Sequence, residues 1–188
     1  MVGFGARAAM TIERISLQDS PQSFDLVYED VSFTSHFDGV LLKGWLISGH
    51  GEHVIIVVNG GYQNRIDDSG STLGMTQALV AEGYNVLLFD LRGRGESEGA
   101  GNTLCHAEED IGGAVDYVNR LGYHLDNICI MGFCSGAALS TVYASRNNDI
   151  GALVLDGCFA RVSTMVIKEV EGVGVPAFLT LIFSRDCT

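Results

Sequence analysis

The chain has 188 residues, 47% of them hydrophobic and 18% charged, a composition that excludes a mainly disordered protein because disordered chains are poor in apolar residues. Its 23 acidic and 11 basic residues give a formal net charge of −12, which argues against nucleic acid and anionic membrane surfaces as partners, since both require a basic face. The length suits one domain that can bury a sizeable core.

The N-terminal part of the sequence contains a predicted hairpin. Residues 1–25 are weakly patterned and form a lead-in, and we expect a single domain over residues 26–188. Apolar and polar residues alternate on both sides of Asp38-Gly39, a dipeptide typical of a two-residue hairpin turn. The pattern predicts an antiparallel pair of strands at 31–36 and 40–47.

The pattern then changes to short apolar runs without alternation, at 53–58, 85–90, 128–131 and 152–155. Continuous runs of this length indicate strands that are buried on both faces, as in a parallel sheet. Helical stretches lie between them, at 72–82, 107–121 and 135–146. Alternating strands and helices predict an α/β fold with a mostly parallel sheet, to which the N-terminal hairpin adds an antiparallel edge.

The segment that carries the chemistry is Gly132-Phe133-Cys134-Ser135-Gly136, between a predicted strand and a predicted helix. It has the form G-x-C-x-G, a cysteine version of the nucleophile turn G-x-S-x-G. Such a turn strains the backbone of its central residue and lifts the side chain above the sheet, while the glycines leave room for neighbouring backbone. The helix that follows brings N–H groups and its positive end beside Cys134, which favours the thiolate.

The glycine-rich segments allow other interpretations, of which two stay open and one is excluded. The glycines around Cys134 can serve close packing alone, with an inert buried thiol. Ser135 is an alternative nucleophile, although the spacing of the motif favours position 134. The stretch Gly93-Arg94-Gly95 invites a dinucleotide-binding interpretation, but its spacing differs from G-x-G-x-x-G, and Glu96 and Glu98 would repel a pyrophosphate.

Five segments in chain order make the sequence resemble the α/β-hydrolase superfamily, in its esterase and serine-aminopeptidase-like branch, from residue 26 to about 183. EDVSFTSHFDGVLLKGWLI resembles the opening hairpin of that family, VIIVVNGGYQNR its third strand and oxyanion loop, and AEGYNVLLFDLRGRGESEG the segment that follows. IMGFCSG stands where the family has its nucleophile turn, and IGALVLDGCFA matches the sixth strand. The resemblance implies an α/β-hydrolase fold that cleaves ester or amide bonds of small molecules through an acyl-enzyme intermediate.

The resemblance also implies roles for individual residues. Cys134 is the nucleophile, and dienelactone hydrolases are relatives with cysteine at this place. Two backbone N–H groups would bind the developing oxyanion, one from Ser135 and one from Gly61 in the loop Gly60-Gly61-Tyr62. Asn59 stands where the family usually has histidine, although the donors in this loop are main-chain groups. The alternative for the loop is that its glycines simply make a turn.

A nucleophile of this type needs a base and an acid that orients the base. In the family the acid and then a histidine follow the nucleophile along the chain. Asp156, after the predicted sixth strand, is a candidate acid. The chain ends soon after that strand, and we expect a truncated fold that lacks the last strands of the family. All five histidines precede Cys134: His36, His50, His53, His106 and His124.

The cysteine pattern bears on location and on metal binding. Five cysteines form an odd-numbered set without a CxxC pair, which is typical of reduced thiols in the cytoplasm. No Cys/His cluster has the spacing of metal ligands, so we expect neither a metal nor an organic cofactor. No apolar stretch reaches the roughly 18 residues of a membrane helix. The sequence therefore predicts a cytoplasmic protein without a membrane partner.

Three hypotheses for the function follow. The first is a hydrolase of ester or amide substrates with Cys134 as nucleophile. The second is a non-catalytic α/β-hydrolase-like protein that acts by binding, which the absence of a histidine after Cys134 favours. The third is one half of an assembly, completed by a partner chain or by a homo-oligomer through the open sheet edge, because an apolar strand at an edge is prone to pair.

Overall fold

The computed structural model describes residues 14–61, 63–67, 72–99 and 106–158. In these ranges the chain forms six strands: β1 (Tyr28–Thr34), β2 (Leu41–Ile47), β3 (Val54–Val58), β4 (Asn85–Phe89), β5 (Ile128–Phe133) and β6 (Ala152–Asp156). An α-helix follows each of β3, β4 and β5: α1 (Thr72–Ala81), α2 (Glu108–Arg120) and α3 (Ser135–Arg146). Every strand and helix predicted from the hydrophobic pattern is present, so the α/β class is confirmed.

The strands form one mixed sheet in the order β1-β2-β4-β3-β5-β6. β3 runs parallel to both β4 and β5, and β6 runs parallel to β5. β2 pairs antiparallel with β1 and with β4, and so joins the hairpin to the parallel strands. All residues of β3 and β4 are buried, as expected for strands that are covered on both faces.

An apolar core lies on each face of the sheet. The core beneath α2 and α3 includes Ile111, Val115 and Val118, the predicted buried face of α2, none of them more than 3% exposed. The core on the other face includes Trp45 from β2 and Leu73 from α1. The helices therefore cover the sheet from both sides. Of the residues directly after β3, β4 and β5, Asn59 and Asp90 are buried and Cys134 is exposed.

The connection between β1 and β2 is longer than predicted. Residues 35–40 join the strands, so the expectation of a two-residue turn at Asp38-Gly39 is wrong. The side chains of Ser35 and Asp38 accept hydrogen bonds from the guanidinium group of Arg92, at 2.7 and 3.0 Å. The N–H of Ser35 still donates to the carbonyl oxygen of Val40 at 2.9 Å, so the turn consists of the four residues between them, in which Gly39 adopts the left-handed conformation at φ +70°.

The two ends of the described chain differ in how they pack. Arg14, in the predicted lead-in, donates a hydrogen bond to the carbonyl oxygen of Ser97 at 2.7 Å. At the other end, β6 pairs only with β5 among the described residues, and Val154 and Leu155 are 44% and 39% exposed. β6 is thus the open edge of the sheet in this part of the chain. None of the helices in the described ranges is long and apolar enough to span a membrane.

Candidate active site

Cys134 lies in the turn between β5 and α3, at the carboxyl ends of the parallel strands. Its backbone has φ +51° and ψ −116°, a left-handed conformation that costs a non-glycine residue roughly 1–3 kcal/mol. A hydrogen bond from the Cys134 N–H to the carbonyl oxygen of Asp156, at 2.8 Å, supports this conformation. Cys134 is exposed, so the bend presents its thiol to solvent.

Glycines allow this bend because neighbouring backbone comes very close to their Cα atoms. A methyl group at Gly136 would lie 2.1 Å from the carbonyl oxygen of Val58, and one at Gly60 would lie 2.5 Å from the carbonyl oxygen of Phe133. Both distances are far shorter than the roughly 3.5 Å of an ordinary non-bonded contact. Glycine at these two positions therefore lets the loop after β3 pack directly against the turn that holds Cys134.

Ser135 is the first residue of α3 and is only 2% exposed. Its hydroxyl accepts a hydrogen bond from the N–H of Gly61, at 2.6 Å. The structure therefore brings together both residues of the expected oxyanion site. It differs from the expectation in one respect, because the Gly61 N–H is bonded within the protein. The hydroxyl of Ser135, the alternative nucleophile, is also engaged and points away from solvent.

The loop after β3 is held by side chains. The amide group of Asn59 donates a hydrogen bond to the carbonyl oxygen of Asn64, at 3.1 Å, so the residue that replaces the family's usual histidine fixes the shape of the loop. Arg94 Nε donates to the carbonyl oxygen of Gly61, at 3.3 Å. The predicted contribution of Tyr62 lies outside the described residues.

Buried ion pairs fix the segment after β4. Arg65 binds the carboxylate of Asp90 at 2.7 Å, and Arg92 binds the carboxylate of Asp110 at the same distance. Burial alone would lower the pKa of Arg92, but its bonds to Asp110 and Asp38 raise that pKa above its ordinary value. Both guanidinium groups are paired with carboxylates of the protein. This pairing agrees with the exclusion of a dinucleotide-binding site in the segment after β4.

The candidate acid Asp156 is placed beside Cys134 by strand pairing. It pairs with Phe133 in the register of β5 and β6, and it is exposed. Its contact with Cys134 is made by the backbone carbonyl, as described above. Among the described ion pairs, none links Asp156 to a histidine.

The histidines lie away from Cys134. His50 and His53 precede β3 and His124 precedes β5, at the opposite end of the sheet. His36, after β1, binds the carboxylate of Asp116, while the ring of His106 stacks on Phe37. β1 is four strands from β5, or roughly 19 Å at the usual spacing of about 4.8 Å. Consequently no histidine is positioned as a base for Cys134.

The described cysteines differ in their surroundings. Cys129 is partly buried within β5, and burial raises the pKa of its thiol. Cys158 is exposed, with its sulfur 3.8 Å from the hydroxyl of Thr141. No group of three His, Cys, Asp or Glu side chains in the described ranges is arranged to hold a metal ion.

A shallow cavity of about 450 Å³ lies near the amino end of β5, away from Cys134. Its walls come from the end of α2, the turn before β5 and the loop after α3: Asn119, His124, Leu125, Asp126, Asn148 and Asp149.

The sequence did not predict two contacts of Gly61, the one with Ser135 and the one with Arg94. Both join residues that are far apart in the chain. The sequence offered one hint of the first contact, since Ser135 carries a hydroxyl group directly after the predicted nucleophile Cys134.

Curated relatives match the greater part of this chain. It is 26% identical over 152 residues to the uncharacterized protein YfhR of Escherichia coli K12, across 78% of this chain and 52% of the relative. It is 29% identical over 163 residues to the uncharacterized protein YfhR of Salmonella typhi, and this match covers 78% of this chain and 54% of the relative. The chain therefore spans about half the length of the curated relatives it matches.

Solved structures and a family model agree on the fold. The esterase Pf2001 of Pyrococcus furiosus superposes with a TM-score of 0.76 at 23% identity, across 94% of this chain and 68% of that one. A second crystal form of that esterase gives 26% identity and a TM-score of 0.66, and the match covers 73% of this chain and 54% of the esterase chain. The family model described as alpha/beta hydrolase fold matches residues 53–178. The chain belongs to the α/β-hydrolase fold family.

Proposed function

We propose that this protein is a hydrolase that cleaves ester or amide bonds of small molecules, with Cys134 as its nucleophile. The observation that carries the proposal is the position of Cys134, an exposed thiol on a left-handed bend at the start of a helix. Free N–H groups of a first helical turn stabilise negative charge. The likeness to an esterase of known structure supports the same class of reaction.

In the proposed reaction the Cys134 thiolate attacks the carbonyl carbon of the substrate. The carbonyl electron pair moves to oxygen, and the backbone N–H groups of Ser135 and Gly61 stabilise that oxyanion. The intermediate then collapses to a thioester and expels the alcohol or amine, which takes up a proton. Water finally attacks the thioester, releases the carboxylic acid and restores the thiol.

Two further residues have proposed roles. Asp156 is the candidate acid, because its position in the β5–β6 register places it next to the turn that holds Cys134. Tyr62 is proposed to contribute to the oxyanion loop. The base is not assigned to any of the five histidines, because they lie at the opposite end of the sheet or four strands away.

A stopped-flow experiment with p-nitrophenyl acetate tests the proposal. We expect the full chain to release a rapid burst of p-nitrophenolate, near one equivalent per chain, as Cys134 becomes acylated. The burst is expected to vanish in Cys134→Ala and to persist in Cys158→Ala, which removes another exposed thiol. Equal bursts from the wild type and a folded Cys134→Ala variant would refute the proposal.

The distance of every histidine from Cys134 favours a second candidate, a non-catalytic protein of this fold that acts by binding. The two candidates differ in the reactivity of Cys134. A thiol probe that labels Cys134 no faster than an ordinary thiol at neutral pH would favour the binding protein.

The open edge of β6 favours assembly as a further property. Exposed Val154 and Leu155 on an edge strand are typical of a surface that pairs with another strand. We propose that a partner chain or a second copy covers this edge. Sedimentation of the full chain as a strict monomer at micromolar concentration would argue against pairing between copies.

A further inference from the structure

One hydrogen bond decides where the N–H of Gly61 points. That N–H lies 2.6 Å from the hydroxyl oxygen of Ser135, which is 2% exposed. The thiol of Cys134, by contrast, is exposed. A single N–H group cannot point to a buried hydroxyl and to an oxygen on the open side of the turn at the same time. In this structure Gly61 therefore donates inward.

The backbone around Gly61 is built so that this peptide group can turn. Gly61 has φ +61°, and a methyl group at its Cα would meet no described atom within 4 Å. Gly60 also lacks a side chain, so no Cβ on either side hinders rotation of the peptide between them. The carbonyl oxygen of Gly61 accepts a hydrogen bond from Arg94 Nε at 3.3 Å, which holds the far side of the residue. The carbonyl oxygen of Gly60, on the same peptide group as the Gly61 N–H, accepts a hydrogen bond from the N–H of Gln63 at 3.4 Å, so turning this peptide breaks one long hydrogen bond as it redirects the donor.

We propose that Ser135 is a positioning residue whose hydroxyl holds the Gly61 N–H in an inward orientation, so that this N–H donates to Ser135 and not to the oxyanion. This inference rests on the proposed acyl-transfer function, because it concerns the second donor of the oxyanion site. A charged oxyanion is a stronger acceptor than a neutral hydroxyl, so the reaction draws the N–H away from Ser135. The cost of breaking that bond reduces the rate of acylation. Loss of the hydroxyl removes this cost and leaves the donor free to turn outward.

The test compares Ser135→Ala with Ser140→Ala in the full chain. Ser140 is a matched control, because it is a fully buried serine of α3 whose hydroxyl donates to the carbonyl oxygen of Gly136, within the same helix. Each variant is assayed for acylation by p-nitrophenyl acetate, which forms an oxyanion. Each is also assayed for alkylation of Cys134 by iodoacetamide, which forms none.

We expect Ser135→Ala to acylate up to roughly tenfold faster than the wild type, since one hydrogen bond to a neutral acceptor no longer has to be broken, and to alkylate at an unchanged rate. Ser140→Ala should match the wild type in both reactions. Acylation that stays the same or slows in Ser135→Ala overturns the inference, because the hydroxyl would then be neutral or would itself assist the reaction.

Amide hydrogen exchange of Gly61, followed by NMR, separates this inference from the proposed function. The Gly61 amide should exchange faster in Ser135→Ala than in the wild type or in Ser140→Ala. If no variant is acylated but exchange responds in this way, the proposed hydrolase function fails while the role of Ser135 in holding the N–H stands. Unchanged exchange at Gly61 refutes that role.

Discussion

Replacement of Gly136 by alanine tests whether close backbone contact shapes the turn at Cys134. Helix propensity alone favours alanine over glycine by up to about 1 kcal/mol. At Gly136, however, the added methyl group would lie 2.1 Å from the carbonyl oxygen of Val58, so the start of α3 has to move by roughly 1 Å or more to reach ordinary contact. Overpacking of this kind costs about 1–3 kcal/mol, and we expect it to outweigh the gain in propensity.

Gly74 provides the matched control, since it lies within α1 and a methyl group there would meet no described atom within 4 Å. Urea denaturation should show a lower free energy of unfolding for Gly136→Ala and an equal or higher one for Gly74→Ala. The rate of Cys134 alkylation should change only in Gly136→Ala, because that variant displaces the helix start beside the thiol. If both variants are stabilised alike, the contact with β3 does not determine the geometry of the turn.

Two further predictions concern stability. Arg92→Met leaves the fully buried carboxylate of Asp110 without its partner, which should lower the free energy of unfolding by about 3–5 kcal/mol; Arg146→Met, at a 59% exposed side chain, should cost less than about 1 kcal/mol. Equal losses in urea denaturation would contradict this difference. Burial, with Asp116 and Glu109 nearby, raises the pKa of Tyr143 from 10.0 to about 12. Because the native state then keeps a proton that the unfolded state has lost, the free energy of unfolding should fall by about 2 kcal/mol as pH rises from 10 to 12. Tyr143→Phe should lack that part of the loss, and an identical pH profile for the two proteins would refute it.

Most of the fold could be predicted because its signals are local. The apolar runs that became β3 and β4 are continuous in the sequence, and burial on both faces requires this pattern. The bend at Cys134 has a local signal as well, since glycines two residues before and after it mark a place where backbone segments come close.

The features that could not be predicted depend on contacts between distant parts of the chain. The turn between β1 and β2 is bound by a distant residue, because Arg92, more than fifty residues away, donates to Ser35 and Asp38. The orientation of the Gly61 N–H depends in the same way on Ser135, 74 residues further on. No local propensity reports such a pairing, because either partner alone is compatible with several orientations.

The central claim is that Cys134 is an acylatable nucleophile, and peptide-level mass spectrometry tests it most directly. The full chain is exposed briefly to a limiting amount of p-nitrophenyl acetate, quenched in acid and digested. We predict that the acetyl group appears on Cys134 well before it appears on Cys129, because burial raises the pKa of the Cys129 thiol. Acetylation of Cys129 at a rate equal to or above that of Cys134, in the folded protein, would contradict the account.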